Sequence, residues 1–172
     1  MHSQTWDLPF LQGEFNINLY RYHYMIMLEN PVSEVETMFA FTNRGNDFEL
    51  RYTLFAQTEF NVENIQRYFA LFVLPIINKA AGFEVDPEEV ELFDERDVYE
   101  EFNGDIGVSA FIPNPPSDYG GGYVYMLLNF FYKMDQGIVM QAILFDDIDF
   151  YVTNEFDEIL HSFRFTDELL DL

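Results

Sequence analysis

The chain has 172 residues, of which 49% are hydrophobic and 19% aromatic, a length and composition that suit one folded domain and argue against disorder. Its 31 acidic residues outnumber 8 basic ones, and the formal charge of −23 disfavours binding to nucleic acid or to an anionic membrane surface. The absence of cysteine excludes disulfide bonds, thiol nucleophiles and thiolate metal sites.

The negative charge would attract a basic protein partner or a divalent cation, but solubility is its default interpretation, because a chain rich in Phe and Tyr needs charge to stay monomeric. A salt-adapted acidic surface is a third option, which the high Phe and Ile content disfavours. No apolar run reaches the ~18 residues of a membrane span. Residues 1–13 lack the basic start and apolar middle of a signal peptide. A cytoplasmic chain and a mature exported chain both fit these features, so the localisation stays open.

The first third of the chain predicts strands after an N-terminal arm at residues 1–13. From residue 19 to residue 28, aromatic and aliphatic side chains recur at every second position, which is the period of a strand. Residues 36–42 and 48–57 predict a hairpin around residues 43–47, which are rich in turn formers.

The period then changes from strand to helix. Apolar residues at spacings of three and four predict a long helix from about Asn61 to Ala81. Thr58 or Asn61 can cap its start, and Gly82 can end it. Pro75 lies inside this segment and should kink the helix or restart it, because proline lacks a backbone donor.

An acidic stretch follows at residues 84–105, with Val and Leu between the carboxylates. It predicts one or two edge strands or a short helical turn, and a solvated face is its default interpretation. As an alternative, the stretch is a partner-binding surface, for which the candidate residues are Glu88, Glu89, Asp94 and Glu95.

A strand at Ile106–Ile112 and a long loop at Pro113–Gly122 lead to the segment Tyr123–Phe145. This segment predicts two apolar strands joined by a turn at Asp135–Gly137, where a final glycine suits a backbone with φ > 0. Because the first strand is apolar on both faces, the pair should be central in a sheet, with layers above and below it.

Apolar residues at helical spacing predict a last helix at Phe156–Phe163, with Thr153 or Asn154 as its cap. An acidic tail follows at residues 166–172. Before this helix lie three carboxylates that could offer oxygen ligands to Ca²⁺. They lack the glycine and the distal glutamate of an EF-hand loop, so solvated loop carboxylates or a helix cap are favoured; the three are Asp146, Asp147 and Asp149.

Few residues suggest catalysis. His23 has no spaced partner and is interpreted as a sheet histidine, whereas His161 lies where the helix dipole favours a cation. Ser162 follows His161 directly, and adjacent helix residues point apart, so the two cannot form a nucleophile–base pair. The sequence predicts no catalytic residue and no cofactor.

Tyrosines are more numerous than a core of this size requires. A concave sheet face lined by them would suit a peptide, an apolar helix or a lipid-like ligand. Alternatively, they surround the edge of the core under the helices. The tyrosines concerned are Tyr20, Tyr22, Tyr24, Tyr123, Tyr125 and Tyr132, and the candidates for contact with a partner are Tyr119, Tyr123 and Tyr125.

The order of elements resembles the PsbP/Mog-type fold, whose relatives include the DcrB-like proteins and the Eag-type effector chaperones. The similar parts are Ala81–Val85 after the long helix, the paired strands of Gly122–Phe145, and a closing motif formed by Ile159, Ser162 and Phe163. The resemblance implies an antiparallel sheet between helices and a chiefly non-enzymatic role, as assembly factor, photosystem subunit, small-GTPase binder or chaperone. It carries over no functional residue.

Together these patterns predict a single α+β domain, residues 1–172, with an antiparallel sheet between two main helices, Asn61–Ala81 and Phe156–Phe163. We expect a non-catalytic module that binds another protein, basic or apolar, through the acidic stretch, the Pro113–Gly122 loop or a tyrosine face. One alternative is a hydrolase with two facing buried carboxylates. The other is a carrier of an apolar small molecule, in a pocket lined by Met25, Met27, Phe130 and Tyr125.

Overall fold

The computed structural model describes residues 13–15, 26–27, 39–42, 45, 47–55, 65–134 and 136–165. In these residues the strands are β1 (Gly13–Phe15), β2 (Ile26–Met27), β3 (Phe39–Thr42), β4 (Phe48–Phe55), β5 (Val90–Leu92), β6 (Ile106–Pro113), β7 (Tyr125–Lys133), β8 (Gly137–Phe145) and β9 (Phe163–Phe165). The α-helices are α1 (Ile65–Ala81), α2 (Glu95–Phe102) and α3 (Asn154–Leu160). Short 3₁₀ turns occur at Pro87–Glu89, Asp118–Gly120 and Ile148–Val152.

Some of the predictions concern residues outside this set. They are the arm at residues 1–12, most of the strand at residues 19–28 with Tyr20, Tyr22, His23, Tyr24 and Met25, the cap candidates Thr58 and Asn61, and the acidic tail at residues 166–172.

An antiparallel sheet dominates the described chain. Its strands lie in the order β2-β3-β4-β8-β7-β6-β5, and β1 pairs with β9 in a separate two-stranded sheet. The prediction of an α+β chain with an antiparallel sheet is therefore confirmed. The predicted hairpin is confirmed too: β7 and β8 lie in the middle, and Lys133 pairs with Gly137, whose φ is 111°.

One face of the sheet packs against α1, and we call it the first face. Phe69, Val73 and Ile77 of α1 are fully buried, which explains their helical spacing in the sequence. They share a core with every second residue of the central strands, namely Met126, Leu128, Phe130 and Tyr132 of β7 and Ile138, Met140, Ala142 and Leu144 of β8.

The opposite face, called here the second face, is covered by parts of α2, α3 and β9. These contribute the buried side chains of Phe102, Phe156, Ile159, Phe163 and Phe165. Their sheet partners are the alternate residues of the same strands, namely Phe48, Leu50, Tyr52, Leu127, Phe131, Val139, Ile143 and Phe145. Each face of the central strands is therefore dry, because each has its own core.

Helix α1 runs without interruption through Pro75, so the alternative that proline restarts the helix is wrong. Pro75 lies on the exposed side of the helix, where water can bond the carbonyl that loses its helical donor. Gly82 ends the helix, as predicted, with a φ of 85°. A Cβ at Gly82 would lie 3.0 Å from the backbone nitrogen of Ser117, so this residue also permits close contact with the following loop.

The structure settles the acidic stretch and corrects the end of the last helix. The acidic stretch contains both alternatives that its pattern allowed, a strand (β5) and a helix (α2). The last helix begins after the Thr153 cap, as predicted, but it ends at Leu160 rather than Phe163. Phe163 fits a helical spacing and a strand equally well, and its pairing with Phe15 places it in β9.

Candidate functional site

The acidic stretch lies at one margin of the large sheet. β5 is the terminal strand, and among the described strands it pairs only with β6. All eleven carboxylates of residues 84–105 are exposed, and Arg96 is the single basic residue among them. We call residues 84–105 the acidic edge. The predicted partner-binding carboxylates therefore all face solvent.

Two aspartate caps hold the backbone of the acidic edge. Asp86 accepts a hydrogen bond from the backbone N–H of Glu88 at 3.0 Å, and this cap begins the 3₁₀ turn. Asp94 accepts from the N–H of Arg96 at 2.9 Å and begins α2. Side-chain acceptors are favoured at these positions because the first N–H groups of a helix have no partner within it. Of the predicted partner residues, Asp94 therefore already has a structural role.

Helix α2 is anchored to the sheet by two buried side chains. The ring of Phe102 stacks on Phe131 with 4.0 Å between centroids, and Val98 is completely buried. At Gly107 of β6 a Cβ would lie 2.8 Å from Phe93 and 2.9 Å from Val98, so only glycine allows this close approach. The acidic edge is thus presented on a rigid support.

Five carboxylates of the acidic edge make no side-chain hydrogen bond or ion pair within the described part of the chain, namely Glu84, Glu88, Glu89, Glu91 and Asp97. Three of them, Glu88, Glu89 and Glu91, belong to β5 or to the 3₁₀ turn before it. Two large apolar side chains of the acidic edge also have much of their surface in water, Leu92 of β5 (52% exposed) and Tyr99 of α2 (65% exposed). Free charge next to exposed apolar surface is a common composition of a binding site.

The tyrosines do not form one binding face. Tyr119 is only 2% exposed, so its side chain offers almost no surface to a partner. Tyr123 and Tyr125 are half-buried, and they pack against the cores of opposite sheet faces. Tyr132 is buried beside Phe69 of α1, with 5.9 Å between ring centroids. These four positions match the alternative in which tyrosines surround the core edge.

The pocket considered for an apolar carrier is not formed as expected. Phe130 is fully buried in the core of the first face, whereas Tyr125 packs against the core of the second face. The sheet itself separates them, because residues an odd number apart in a strand point to opposite sides. Phe130 and Tyr125 therefore cannot line one pocket.

A buried arginine holds the Pro113–Gly122 loop, and sequence reasoning missed it. Arg51 of β4 is 2% exposed, and its Nε donates to Glu49 Oε1 at 2.5 Å. One terminal nitrogen donates to the carbonyl of Tyr119, and the guanidinium lies 4.7 Å from the centroid of the Tyr119 ring. The loop is therefore tied down over the sheet. In the sequence, Arg51 is one of the polar residues that alternate with apolar residues along a strand. That pattern is typical of a solvent-exposed face, so the sequence did not indicate that Arg51 is buried.

The charges around Arg51 also act on Tyr123. Burial, together with the negative charges of Glu49 and Asp146, raises the pKa of the Tyr123 phenol to about 12, against a smaller opposing effect of Arg51. The phenol is therefore neutral at physiological pH. This cluster holds a loop and supplies no phenolate for chemistry.

A row of polar side chains crosses the second face from β6 to β4. Ser109 Oγ donates to Asn129 Oδ1 at 2.8 Å, and Asn129 Nδ2 donates to Gln141 Oε1 at 3.0 Å. Gln141 Nε2 donates to the Tyr52 hydroxyl at 2.9 Å and to the carbonyls of Ile159 and Leu160. The row follows the strand register, since each of these residues lies directly opposite the next. It attaches the end of α3 to the sheet.

The row ends at Ser162, whose hydroxyl is fully engaged. Ser162 Oγ lies 2.6 Å from the Tyr52 hydroxyl and 2.5 Å from the carbonyl of Ile159, to which it donates. Burial raises the pKa of Tyr52 to about 12, although its bonds to Ser162 and Gln141 act in the other direction. Ser162 therefore has a structural role, in agreement with the prediction that it forms no pair with His161.

His161 joins α2 to α3. Its Nδ1 lies 2.8 Å from the carbonyl of Asp157, and its Nε2 lies 2.8 Å from Glu101 Oε2. Both neighbours are acceptors, so this geometry favours the imidazolium form, in which both ring nitrogens donate. Burial lowers the pKa of His161, but the bonds to Glu101 and Asp157 and their charges outweigh this and raise it above 6.5. The ring also stacks on Phe102, with 5.4 Å between centroids.

We expect this contact to make stability depend on pH. Because the pKa is higher in the folded chain than in the unfolded one, the stabilisation is complete below about pH 6.5 and is lost as pH rises through the folded pKa. The melting temperatures of the wild type and of His161→Gln should therefore differ most at acidic pH. Glu101→Gln should reproduce this pH dependence, and a difference that stays constant across the range would contradict it.

Two of the three aspartates considered for calcium accept hydrogen bonds from the backbone. Asp146 accepts from the N–H of Val124 at 3.0 Å, and Asp147 accepts from the N–H of Asp149 at 3.0 Å, which begins the 3₁₀ turn there. Among the residues that the structure describes, no group of three or more carboxylates and imidazoles could hold a metal ion. Calcium binding at this turn thus finds no support in the geometry.

Comparisons with known proteins assign neither a family nor a function to this chain. In the described chain, no α-helix is long and apolar enough to cross a membrane. Searches against protein families, curated proteins and solved structures find no match for this sequence.

Proposed function

We propose that this protein is a non-catalytic binding module that holds a basic segment of another protein at its acidic edge. One observation carries the proposal: three carboxylates without side-chain partners lie in or beside the terminal strand of the sheet, and the same acidic edge exposes Leu92 and Tyr99. Lysine and arginine side chains of a partner would pair with the carboxylates. Its apolar side chains would cover the exposed leucine and tyrosine.

The terminal strand supports this mode of binding. The outer edge of β5 has backbone donors and acceptors that an extended peptide can pair with, as in other cases of β-augmentation. Glu88, Glu89 and Glu91 would repel a second copy of this acidic chain at that edge. The same charges would attract and orient a basic segment, mainly by increasing its rate of association.

We also propose that the fold is of the PsbP/Mog type, with the sheet between α1 on one side and α3 on the other. The separate cores on the two faces of β7 and β8 support this arrangement. The chiefly non-enzymatic roles of proteins with that fold agree with a binding module. They add no residue to the site.

A peptide of alternating lysine and valine is a suitable probe of the acidic edge. We expect the double variant Glu88→Gln/Glu89→Gln to bind it about tenfold more weakly than the wild type, because two free carboxylates are lost. Asp118→Lys changes the net charge by the same amount at an exposed position in another loop, and it should leave the affinity nearly unchanged. Isothermal titration calorimetry at several salt concentrations measures both.

A natural partner can be sought in the same way. Affinity capture from the source lysate should retain a protein that salt releases, that the Glu88/Glu89 variant fails to retain, and that Asp118→Lys still binds. The proposal would be wrong if the acidic-edge variant and the control bound the peptide equally well. It would also be wrong if the wild type showed no salt-dependent binding.

A further inference from the structure

A second exposed apolar surface lies on the second face of the sheet. Ile148 (46% exposed), Tyr151 (43%) and Val152 (82%) belong to one 3₁₀ turn, and Phe111 of β6 (36%) lies beside them. We call these four residues the aromatic patch. Nothing in the packing of the described chain requires large apolar side chains in water here, and such patches commonly mark a site of interaction.

The patch is rigid. The Tyr151 ring lies 4.8 Å from Phe156, 5.8 Å from Phe111 and 6.4 Å from Phe145, measured between centroids. Phe150 of the same turn points inward and stacks on Phe48 at 5.5 Å. The turn is therefore fixed by its aromatic neighbours, and Tyr151 loses little freedom on binding. Rigid, half-exposed aromatic side chains of this kind often dominate binding energy.

The patch adjoins the acidic edge. Glu91 of β5 is paired with Ser109 of β6, so both lie on the same face of the sheet. Phe111 follows Ser109 by two residues in the strand and faces the same way. The carboxylate of Glu91 therefore lies on the same face as Phe111, one strand over and two residues along the register.

The other border of the patch is acidic as well. Asp146, Asp147, Asp149 and Glu155 are all exposed and lie in the same turn or directly beside it. With a formal charge of −23 on each chain, a second copy would bring like charges together around the patch. An anionic lipid surface is disfavoured for the same reason. Charge complementarity thus selects a basic occupant.

We propose that the aromatic patch binds an amphipathic helix, with leucine-like side chains on Tyr151 and Phe111 and with lysine or arginine side chains on the surrounding carboxylates. This inference rests on the proposed binding function and names the class of partner segment. The helix would lie beside the 3₁₀ turn at Ile148–Val152 and extend along β6 toward Glu91. The acidic edge would attract it, and the aromatic patch would hold it.

Two synthetic helices of equal charge test this inference. One is an amphipathic peptide of leucine and lysine, and the other has serine in place of leucine. We expect the wild type to bind the leucine peptide at least about tenfold more tightly than the serine peptide, as measured by fluorescence anisotropy. The double variant Ile148→Ser/Val152→Ser should lose this preference. Both positions are exposed, so the fold should survive, which near-ultraviolet circular dichroism can verify.

A matched control is available on α1. Leu71 is 57% exposed but lies on the helix that covers the first face, and Leu71→Ser should keep the full preference for the leucine peptide. The acidic-edge variant Glu88→Gln/Glu89→Gln should weaken binding of both peptides by the same factor. The two kinds of variant therefore report on the patch and on the edge separately.

Four outcomes would overturn the inference. The first is a wild type that binds the two peptides equally, and the second is a patch variant that keeps the preference while the acidic-edge variant loses affinity. In the second case the proposed function stands and the patch assignment falls. The third is sedimentation that shows a dimer of the wild type which Ile148→Ser/Val152→Ser dissociates, because the occupant is then a second copy. If neither peptide binds, the proposed function fails as well.

Discussion

Replacing Arg51 with methionine is expected to lower the free energy of unfolding by about 3–5 kcal/mol, the range found when one member of a buried ion pair is removed. The Glu49 carboxylate, whose side chain is 10% exposed, would lose its bond to the guanidinium and remain in the core without a counter-ion. The carbonyl of Tyr119 would lose its donor at the same time. Urea denaturation, followed by circular dichroism, measures the change.

Two further variants identify the cause of that loss. In Arg51→Met/Glu49→Leu both charges are replaced by apolar groups, and most of the stability should return. Arg96→Ala breaks an ion pair with Glu100 whose side chains are 78% and 55% exposed, and it should cost less than about 1 kcal/mol. A loss below about 1 kcal/mol for Arg51→Met, similar to that of Arg96→Ala, would contradict the role given to the buried pair.

Gln141→Leu is expected to destabilise the fold by about 2–4 kcal/mol, because it leaves several buried polar groups without partners. The side chain of Gln141 is completely buried and connects Asn129, Tyr52 and the last carbonyls of α3. Leucine fills a similar volume, so the cost would come from lost hydrogen bonds rather than from a cavity. Thermal and urea denaturation should both show the loss.

The size of the loss should follow the number of bonds removed. Tyr52→Phe deletes one hydroxyl at the far end of the row and should cost about 0.5–1.5 kcal/mol. In the double variant the two losses should not add, and a coupling of about 0.5–3 kcal/mol is expected for residues in direct contact. Strict additivity, or a Gln141→Leu variant as stable as the wild type, would show that the row contributes little.

Much of the architecture follows from hydrophobic period alone. The spacing of Phe69, Val73 and Ile77 predicts α1, and the apolar strands on either side of Gly137 predict the central hairpin. These patterns are informative because burial repeats with the geometry of the element. Gly137 adds a second signal, since its φ of 111° suits glycine and few other residues.

Boundaries and polar contacts could not be read in this way. Phe163 fits a helical spacing and a strand equally well, so only its pairing with β1 decides its place. Tyr119 lies in a loop among polar residues, and its burial depends on Arg51, which is distant in sequence. Asn129 and Gln141 look like isolated polar residues within apolar strands. Their significance depends on being opposite each other, which requires knowledge of the strand register.

The candidate site, like the fold, could be predicted only in part from the sequence. Composition predicts an acidic segment, but it does not distinguish free carboxylates such as Glu89 from an aspartate that caps a helix, such as Asp94. Neither does it predict that Phe111 and Tyr151 lie side by side, because they come from different elements. Surface assignments of this kind depend on tertiary structure.

The position of β4 beside β8 affects how the chain folds during its synthesis. During synthesis β3 and β4 leave the ribosome early, but β8 follows only after α1, α2 and three further strands. Until then one side of β4, with Leu50 and Tyr52 still uncovered, has no partner in the growing chain. Nascent chains are thus exposed to aggregation between the synthesis of β4 and that of β8, and the centre of the sheet forms late.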